Sequence, residues 1–376
     1  MNNKLKVGLV YGGKSGEHDV SLQTALAVIQ AFDFEKYEIK PFYITKQGEW
    51  VSGKRITERI ATKEQLLLQG EGVGEGGGSS AVALAPIFGA QSLAESQADA
   101  TGGERIDVIF PLLHGTFGED GTIQGLMEMA NIPYVGAGVL ASAAGMDKVI
   151  MKKLFAEAGL AQCMYRYFTR HQWKKDASFY ITEIEVTLGY PCFVKPANLG
   201  SSVGISKAKN REELIAAIEE ALRFDRKIIV EELVEGREIE VAILGNDEPM
   251  ASVPGEVVSS SDFYDYRAKY VDGKSAMVIP ADIPEGRKEE VRELALRAFE
   301  AIDGSGLSRV DFFMREHDGR FLINEINTMP GFTPYSMYPL LWKESGKNYQ
   351  ELLDDLIRLA MERYNEKQQN QYVFDI

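Results

Sequence analysis

The stretch 309–331, RVDFFMREHDGRFLINEINTMPG, contains three oxygen-bearing side chains that could act together: Asp311, Glu325 and Asn327. The pattern predicts two strands joined by a tight turn at Asp318. Because side chains alternate along a strand, Glu325 and Asn327 point to one face, and the hairpin can bring Asp311 onto it. Hard cations such as Mg²⁺ require oxygen ligands, commonly together with substrate phosphates. The spacing therefore indicates a candidate site for a divalent cation.

Acidic side chains on a sheet are more often solvated surface, so the neighbouring residues decide between the two interpretations. Leu322, Ile323 and Ile326 are apolar, which predicts a largely buried second strand. A buried acid needs a partner or a metal ion, so the cation site is favoured. The strand is followed by the rigid turn 328–331, which ends in a free backbone N–H at Gly331.

The elements that position this hairpin begin with an α/β unit. The apolar run 4–11 predicts a buried parallel strand, and a glycine-rich loop, 12–18, follows it. A helix is predicted from about 20 to 32 and a second strand at 37–44. A strand, a glycine-rich loop, a helix and a second strand open a doubly wound α/β domain.

Two further loops rich in small residues follow predicted strands. The strand 106–113 ends at His114, and the carboxyl end of such a strand is where α/β proteins bind ligands. A lone histidine there is more often structural, so this assignment stays open. The strand 190–195 leads from Lys195 into the loop 197–205, whose backbone N–H groups could hold a phosphate. A plain hairpin turn is the alternative.

Together these segments resemble the ATP-grasp ligases, and within them the D-alanine–D-alanine ligase family. The matching motifs are G-G-x-S-x-E-x-x-V-S at 12–21, H-G-x-x-G-E-D-G-T-x-Q-G at 114–125, M-D-K at 146–148, K-P-x-x-x-G-S-S-V-G at 195–204 and E-x-N-T-x-P-G at 325–331. The resemblance runs from Gly12 to Ser336, and only the segment 51–105, interpreted as an insertion, has no counterpart.

The resemblance implies an α/β chain with the ATP-grasp fold and an N-terminal doubly wound α/β domain. Its expected parts are an N-terminal substrate domain, 1–137, a central ATP-grasp subdomain, 138–232, and a C-terminal ATP-grasp subdomain, 233–376. The last part would carry the metal site and a loop, 259–280, that closes over the reactants.

The resemblance also implies roles for individual residues. The expected catalytic residues are Glu17, Ser201, Tyr270, Arg309 and Gly331, and the expected substrate contacts are His114, Ser336 and Met337. The expected ATP contacts are Lys148, Lys195, Glu231, Glu232, Leu233, Glu238 and Lys269, and the expected metal ligands are Asp311, Glu325 and Asn327. Glu17 would hold the substrate's ammonium group within a hydrogen-bonded set that includes Ser201 and Tyr270. Arg309 and the Gly331 N–H would stabilise an oxyanion.

The implied reaction is ATP-dependent ligation of two D-alanine molecules for peptidoglycan precursor synthesis, with two Mg²⁺ or Mn²⁺ ions as cofactors. A D-alanine–D-lactate or D-alanine–D-serine ligase has the same scaffold, although Tyr270 speaks against the lactate form. Another ATP-grasp carboxylate–amine ligase is a further alternative. A non-catalytic nucleotide-binding regulator would be expected to lack a metal ligand or Arg309, and all of these residues are present.

Bulk properties limit the remaining function classes. The 376 residues carry a formal net charge of −15, which argues against broad nucleic-acid binding. We expect no membrane span and no signal peptide, because no apolar run reaches the required length. The two cysteines fit a reducing cytoplasm. The resemblance, rather than any pattern in the sequence, implies a homodimer.

Overall fold

The computed structural model describes residues 4–68, 106–200, 203–258 and 276–372. Within these ranges the strands are β1 (Leu5–Gly12), β2 (Tyr37–Ile44), β3 (Trp50–Ser52), β4 (Val108–Pro111), β5 (Tyr165–Thr169), β6 (Cys192–Pro196), β7 (Ser206–Ala208), β8 (Lys227–Glu232), β9 (Gly236–Gly245), β10 (Met250–Ala251), β11 (Gly255–Val258), β12 (Ala276–Val278), β13 (Gly306–Arg315) and β14 (Phe321–Asn327). The α-helices are α1 (His18–Ala31), α2 (Thr122–Met129), α3 (Val139–Met146), α4 (Lys148–Glu157), α5 (Arg170–Lys175), α6 (Ala177–Thr187), α7 (Arg211–Ala221), α8 (Glu285–Ala301), α9 (Met337–Glu344) and α10 (Tyr349–Lys367).

The first sheet confirms the α/β unit that the apolar runs predict. Its strand order is β3-β2-β1-β4, and β1 pairs in parallel with both β2 and β4. Leu9 and Val10, which point to opposite faces, both have no exposed surface, as a central parallel strand covered on both faces requires. Because β1 and β4 are parallel neighbours, the loops after them meet at one edge of the sheet. This edge brings Glu17 and His114 together.

Two antiparallel sheets form the rest of the core. The larger has the order β12-β11-β9-β13-β14, with β10 paired to β9, and the smaller has the order β5-β8-β6-β7. Helices α4 and α8 pack on the larger sheet through side chains such as Phe155 and Phe299, both almost fully buried. This combination of one mostly parallel sheet, whose edge strand β3 is antiparallel, and two antiparallel sheets confirms the predicted α/β class.

The hairpin of β13 and β14 contains an irregularity that the sequence pattern does not reveal. Asp311 pairs with Glu325, but the next residue, Phe312, pairs with Ile323, so Asn324 is the extra residue of a β-bulge. The bulge shifts the alternation by one residue. Ile323 therefore lies in the core opposite Phe312, while Glu325 stays on the face of Asp311.

The domain division at 137/138 and 232/233 is retained as a proposal. The second boundary is supported by the change of sheet between β8 and β9. Most of the segment interpreted as an insertion, 51–105, lies outside the described residues. Its described part includes a 3₁₀ turn, Lys63–Leu66, whose last side chain is buried in the N-terminal core. In the part of the chain that the structure describes, no helix combines the length and apolar character needed to cross a membrane.

Candidate active site

One cleft between the edge of the first sheet and the β13–β14 hairpin collects many of the residues singled out in the sequence. Those that line it are Glu17, His114, Lys148, Arg309, Glu325, Asn327, Gly331, Ser336 and Met337. Lys195, Glu231, Glu232, Leu233 and Glu238 lie on or between β6, β8 and β9 and are not among the residues that line this cleft. Ser201, Lys269 and Tyr270 lie outside the described residues.

Arg309 is the centre of the charged face of the hairpin. Its Nε and Nη2 atoms donate to the two oxygens of Asp311 at 2.7 Å each. Its Nε atom also lies 2.9 Å from Oε2 of Glu240, on the neighbouring strand β9. Burial disfavours the charged guanidinium, but Asp311 and Glu240 outweigh this and hold the pKa of Arg309 well above its ordinary value. The arginine is therefore fixed in a charged state.

The predicted metal ligands share one face of adjacent strands. Asp311 pairs in register with Glu325, and the Nδ2 atom of Asn327 donates to Asp311 at 2.9 Å. Their donor chemistry of two carboxylates and one amide fits a hard divalent cation. Within the described ranges no three His, Cys, Asp or Glu side chains form a group that could hold a metal, so the proposed set depends on the amide of Asn327 as its third ligand. Both Asp311 oxygens also accept from Arg309, so the arginine and the proposed metal site share this carboxylate.

Helix α4 positions Lys148 at the cleft. Asp147 is the N-cap of this helix, because its carboxylate accepts from the backbone N–H groups of Val149 at 3.1 Å and Ile150 at 3.2 Å. The Nζ atom of Lys148 donates to the carbonyl of Leu199 at 2.9 Å and lies 3.7 Å from Oε2 of Glu325. Lys148 thus connects the loop after β6 with the carboxylate face of the hairpin.

A second charged cluster lies between β6, β8 and α4. The Glu231 carboxylate is 2.5 Å from Nζ of Lys195 and 2.9 Å from Nζ of Lys152. Glu232, the next residue of β8, accepts from the backbone N–H of Met164 at 2.7 Å. These contacts fix the end of β8, where the sequence predicts nucleotide contacts.

The opposite end of the cleft holds a buried histidine and two acids. Nε2 of His114 lies 3.2 Å from Oγ1 of Thr24, and its Nδ1 atom lies 3.6 Å from Oε1 of Glu119. Gly115 has φ of 75°, and a Cβ atom there would lie 2.6 Å from Oε2 of Glu17. The glycine after His114 therefore lets the loop approach the Glu17 carboxylate.

Burial and mutual charge shift the protonation of this group. Burial raises the pKa of Glu119 to about 7, and the Glu17 charge adds to this against the opposing influence of His114. For His114 burial alone would lower the pKa, but Glu119 and Glu17 outweigh it and the pKa is raised. Near neutral pH the group consequently holds more protons than the same residues in water.

This proton excess leads to a pH prediction. Because the folded pKa of Glu119 exceeds its ordinary value, its contribution to stability is full below pH 4.5 and is lost as pH rises through about 7. Glu119→Gln cannot take up the proton. Between about pH 5 and about pH 8 the free energy of unfolding should decrease in the wild type by on the order of 2 kcal/mol more than in the Glu119→Gln variant. Urea unfolding at several pH values measures this, with the exposed Glu344→Gln as control. Parallel pH profiles for wild type and Glu119→Gln would contradict the assignment.

The turn after β14 forms the remaining wall. Ser336 Oγ accepts from the Thr333 backbone N–H at 3.1 Å and lies 2.8 Å from the Thr333 hydroxyl. A Cβ atom at Gly331 would lie 3.1 Å from Ser336 Oγ. The absence of a side chain at Gly331 therefore keeps its backbone accessible beside the serine.

Sequence reasoning missed three charged residues that the structure brings to these clusters: Glu119, Lys152 and Glu240. Each had a signal. Glu119 lies inside the motif that begins at His114, Glu240 is two residues after Glu238 on one strand, and Lys152 is four residues after Lys148 on one helix.

The sheets and the charged faces described above belong to an ATP-grasp ligase. The chain is a member of the D-alanine–D-alanine ligase family. The family model for the D-Ala–D-Ala ligase N-terminus matches residues 6–137, and the model for the C-terminus matches residues 154–358.

Similar proteins agree with this assignment over nearly the full chain. A D-alanine–D-alanine ligase from Bacillus cytotoxicus is 56% identical over 369 residues, covering 98% of this chain and 99% of that protein. The structure of the D-alanine–D-alanine ligase from Coxiella burnetii superposes with a TM-score of 0.77 at 33% identity, covering 97% of this chain and 96% of that one. The VanG D-Ala:D-Ser ligase from Enterococcus faecalis also gives a TM-score of 0.77, at 36% identity, with 95% and 100% covered.

Proposed function

We propose that this enzyme joins two D-alanine molecules to D-alanyl-D-alanine, with conversion of ATP to ADP and phosphate, for peptidoglycan precursor synthesis. The observation that carries the proposal is the shared cleft. It places a carboxylate suited to an ammonium group, Glu17, across from Arg309, Lys148 and the carboxylate of Glu325. One wall can thus hold an amino acid while the other holds charged phosphates, in a chain that belongs to this ligase family.

ATP is proposed to lie between the two antiparallel sheets. The Glu231 carboxylate accepts a hydrogen bond from the adenine amino group. Glu232 and Leu233 lie along the edge of the adenine ring, and Glu238 binds the ribose. Lys148 and Lys195 neutralise phosphate oxygens, as does Lys269, which lies outside the described residues. Asp311, Glu325 and Asn327 would hold two Mg²⁺ ions, or Mn²⁺, whose charge would stabilise the transferring phosphoryl group. Catalysis then consists mainly of positioning and electrostatic stabilisation.

The chemistry requires two successive attacks. Glu17 binds the ammonium group of the first D-alanine and so orients that substrate. The carboxylate of this D-alanine attacks the γ-phosphorus of ATP, which forms an acyl phosphate and releases ADP. The amine of the second D-alanine, held near Ser336 and Met337, attacks the acyl carbon. Arg309 and the Gly331 N–H stabilise the oxyanion, the C–O bond to phosphate breaks, and the phosphate leaves with the proton that the nitrogen gives up.

Several parts of the proposal come from the family resemblance. Ser201 and Tyr270, outside the described residues, complete the hydrogen-bonded set with Glu17, and His114 borders the first D-alanine. The predicted loop 259–280 is shorter than expected at its end, where Ala276–Val278 form β12, and its remaining part, 259–275, lies outside the described residues. We propose that this part shields the acyl phosphate from water. The enzyme acts as a homodimer in the cytoplasm, on small molecules and without nucleic acid or a membrane.

Competition between second substrates tests the proposal. The structural likeness to a D-Ala:D-Ser ligase makes D-serine the second candidate, so D-alanine is supplied alone, with equal D-serine and with equal D-lactate. Phosphate release and mass spectrometry of the products report the outcome, with L-alanine as the control. We expect D-alanyl-D-alanine to be the dominant product in every mixture. A predominance of D-alanyl-D-serine would transfer the assignment to the second candidate, and no release above the L-alanine control would refute both.

A further inference from the structure

A lysine that the proposed mechanism does not use is buried behind the nucleotide end of the site. Lys152 has no exposed surface, and its Nζ atom lies 2.9 Å from Oε1 of Glu231. The other carboxylate oxygen, Oε2, is 2.5 Å from Nζ of Lys195. A single buried carboxylate therefore has one lysine on each oxygen.

The remaining neighbours of Lys152 do not change this charge balance. Its Nζ atom lies 3.5 Å from Sγ of Cys163 and 5.5 Å from the ring centre of Tyr165. Burial raises the pKa of the Cys163 thiol to about 11, so the thiol is neutral at physiological pH. Burial opposes the charge of Glu231, but the two lysines outweigh it and lower the pKa of Glu231 to about 2. The cluster thus consists of two cations and one anion.

The two lysines differ in their freedom to leave Glu231. The side chain of Lys195 is 13% exposed and belongs to β6, immediately before the loop that carries Leu199. The side chain of Lys152 is only 1% exposed and extends from the middle of α4. Lys195 therefore lies on the side of the cluster that an incoming phosphate can reach, whereas Lys152 is enclosed.

Helix α4 also relates the two ends of the site to each other. Lys148 and Lys152 are four residues apart, so they lie on the same face of the helix about one turn, roughly 6 Å, apart. Lys148 faces Glu325 at 3.7 Å, and Lys152 faces Glu231 at 2.9 Å. One rigid helix thus supplies a lysine to each end.

We propose that Lys152 is a positioning residue, the fixed counter-ion that keeps Glu231 charged and oriented toward the adenine amino group after Lys195 has moved to the phosphates. This inference rests on the proposed function, because that function makes Glu231 the adenine contact. An ionised carboxylate accepts from the amino group of adenine and repels the carbonyl oxygen that guanine has at the same position. Without Lys152, Glu231 would either retain Lys195 and withhold it from the phosphates, or lose its last cationic partner when Lys195 moved. The first outcome lowers ATP affinity, and the second lowers the preference for ATP over GTP.

A double-mutant cycle tests this inference. The variants are Lys152→Met, Glu231→Gln and the combination of the two, and MgATP and MgGTP binding is measured by calorimetry without D-alanine. We expect Lys152→Met to weaken ATP binding by about tenfold and to reduce the preference for ATP over GTP, with KM for D-alanine unchanged. In the Glu231→Gln background the same change should have an effect of less than about threefold, because the group through which Lys152 acts is gone.

Three further variants guard against a purely structural explanation. Lys153→Met removes the exposed neighbouring lysine, which contacts Tyr167, and Cys163→Ala removes the other polar contact of Lys152. Both should bind ATP like the wild type. If Lys152→Met does not fold, Lys152→Gln retains a hydrogen-bond donor without the charge and takes its place. Melting temperatures identify the folded variants.

Two results would overturn the inference. One is an equal loss of ATP affinity on replacing Lys152 in the wild-type and the Glu231→Gln backgrounds, which would indicate packing alone. The other is unchanged nucleotide affinity and selectivity in the single variant. The cycle needs only nucleotide binding, so a wild type that binds ATP but makes no D-alanyl-D-alanine would refute the proposed function and leave the cycle informative.

Discussion

Glu325→Gln should lower kcat by about a hundredfold or more while the protein stays folded. Glu325 lies on the cleft face of β14, in register with Asp311 and 3.7 Å from Nζ of Lys148. The substitution retains shape and hydrogen bonding but removes the charge that a divalent cation requires. Losing one element of electrostatic stabilisation in an active site raises the barrier by about 3 kcal/mol or more. Phosphate release at saturating ATP, D-alanine and Mg²⁺ measures the effect.

The matched control for this substitution is Glu316→Gln, an exposed acid on the turn of the same hairpin. It should leave kcat within about twofold of the wild type. Binding of Mn²⁺ supplies a second readout, and we expect it to weaken in Glu325→Gln alone. If Glu325→Gln retained near wild-type kcat at saturating Mg²⁺, the hairpin would not be the metal site.

Arg309→Lys should decrease kcat by about a hundred- to a thousandfold, with little change in KM for ATP. Lysine retains the positive charge but loses the planar fork that contacts both oxygens of Asp311 at 2.7 Å. The ammonium group can face Asp311 or Glu240, but it cannot also reach an oxyanion in the same geometry. The loss is therefore expected in the transition state, and steady-state kinetics for both substrates separates it from a binding defect.

Arg315→Lys is the control for the arginine. Arg315 lies on the same strand and makes a similar two-pronged contact with Asp318, outside the cleft. We expect its kcat to stay within about twofold of the wild type. A decrease of less than about threefold in Arg309→Lys would contradict the oxyanion role. An equal decrease in both variants would attribute the effect to the strand rather than to the site.

The sequence by itself determined the fold class, the family and most local elements. Strand β2 has the predicted limits, 37–44, and β1, predicted at 4–11, covers Leu5–Gly12. These features depend on short-range patterns such as an apolar run of strand length and the turn residues that bound it. Such patterns are physical constraints on neighbouring residues, so a single chain displays them.

The sequence predicts which residues form the candidate site, but not which side chains on other strands contact them. The motifs identify Arg309, Asp311 and Glu325 as site residues, and the structure places all three on one sheet face. The roles assigned to them stay predictions. Arg309 and Asp311 are two residues apart on β13 and share a face by alternation alone, whereas the contact of Arg309 with Glu240 depends on the pairing of β13 with β9. Strand pairing of this kind is not visible in the periodicity of any one segment.

Only the tertiary structure decided the contacts between charged groups that are far apart in the sequence. Lys152 and Glu231 meet because α4 packs beside the smaller sheet, and Glu119 meets His114 because its loop folds back at the sheet edge. The β-bulge at Asn324 is also a tertiary feature, since it exists only against the partner strand. Buried charges find partners through packing, and packing depends on the whole chain.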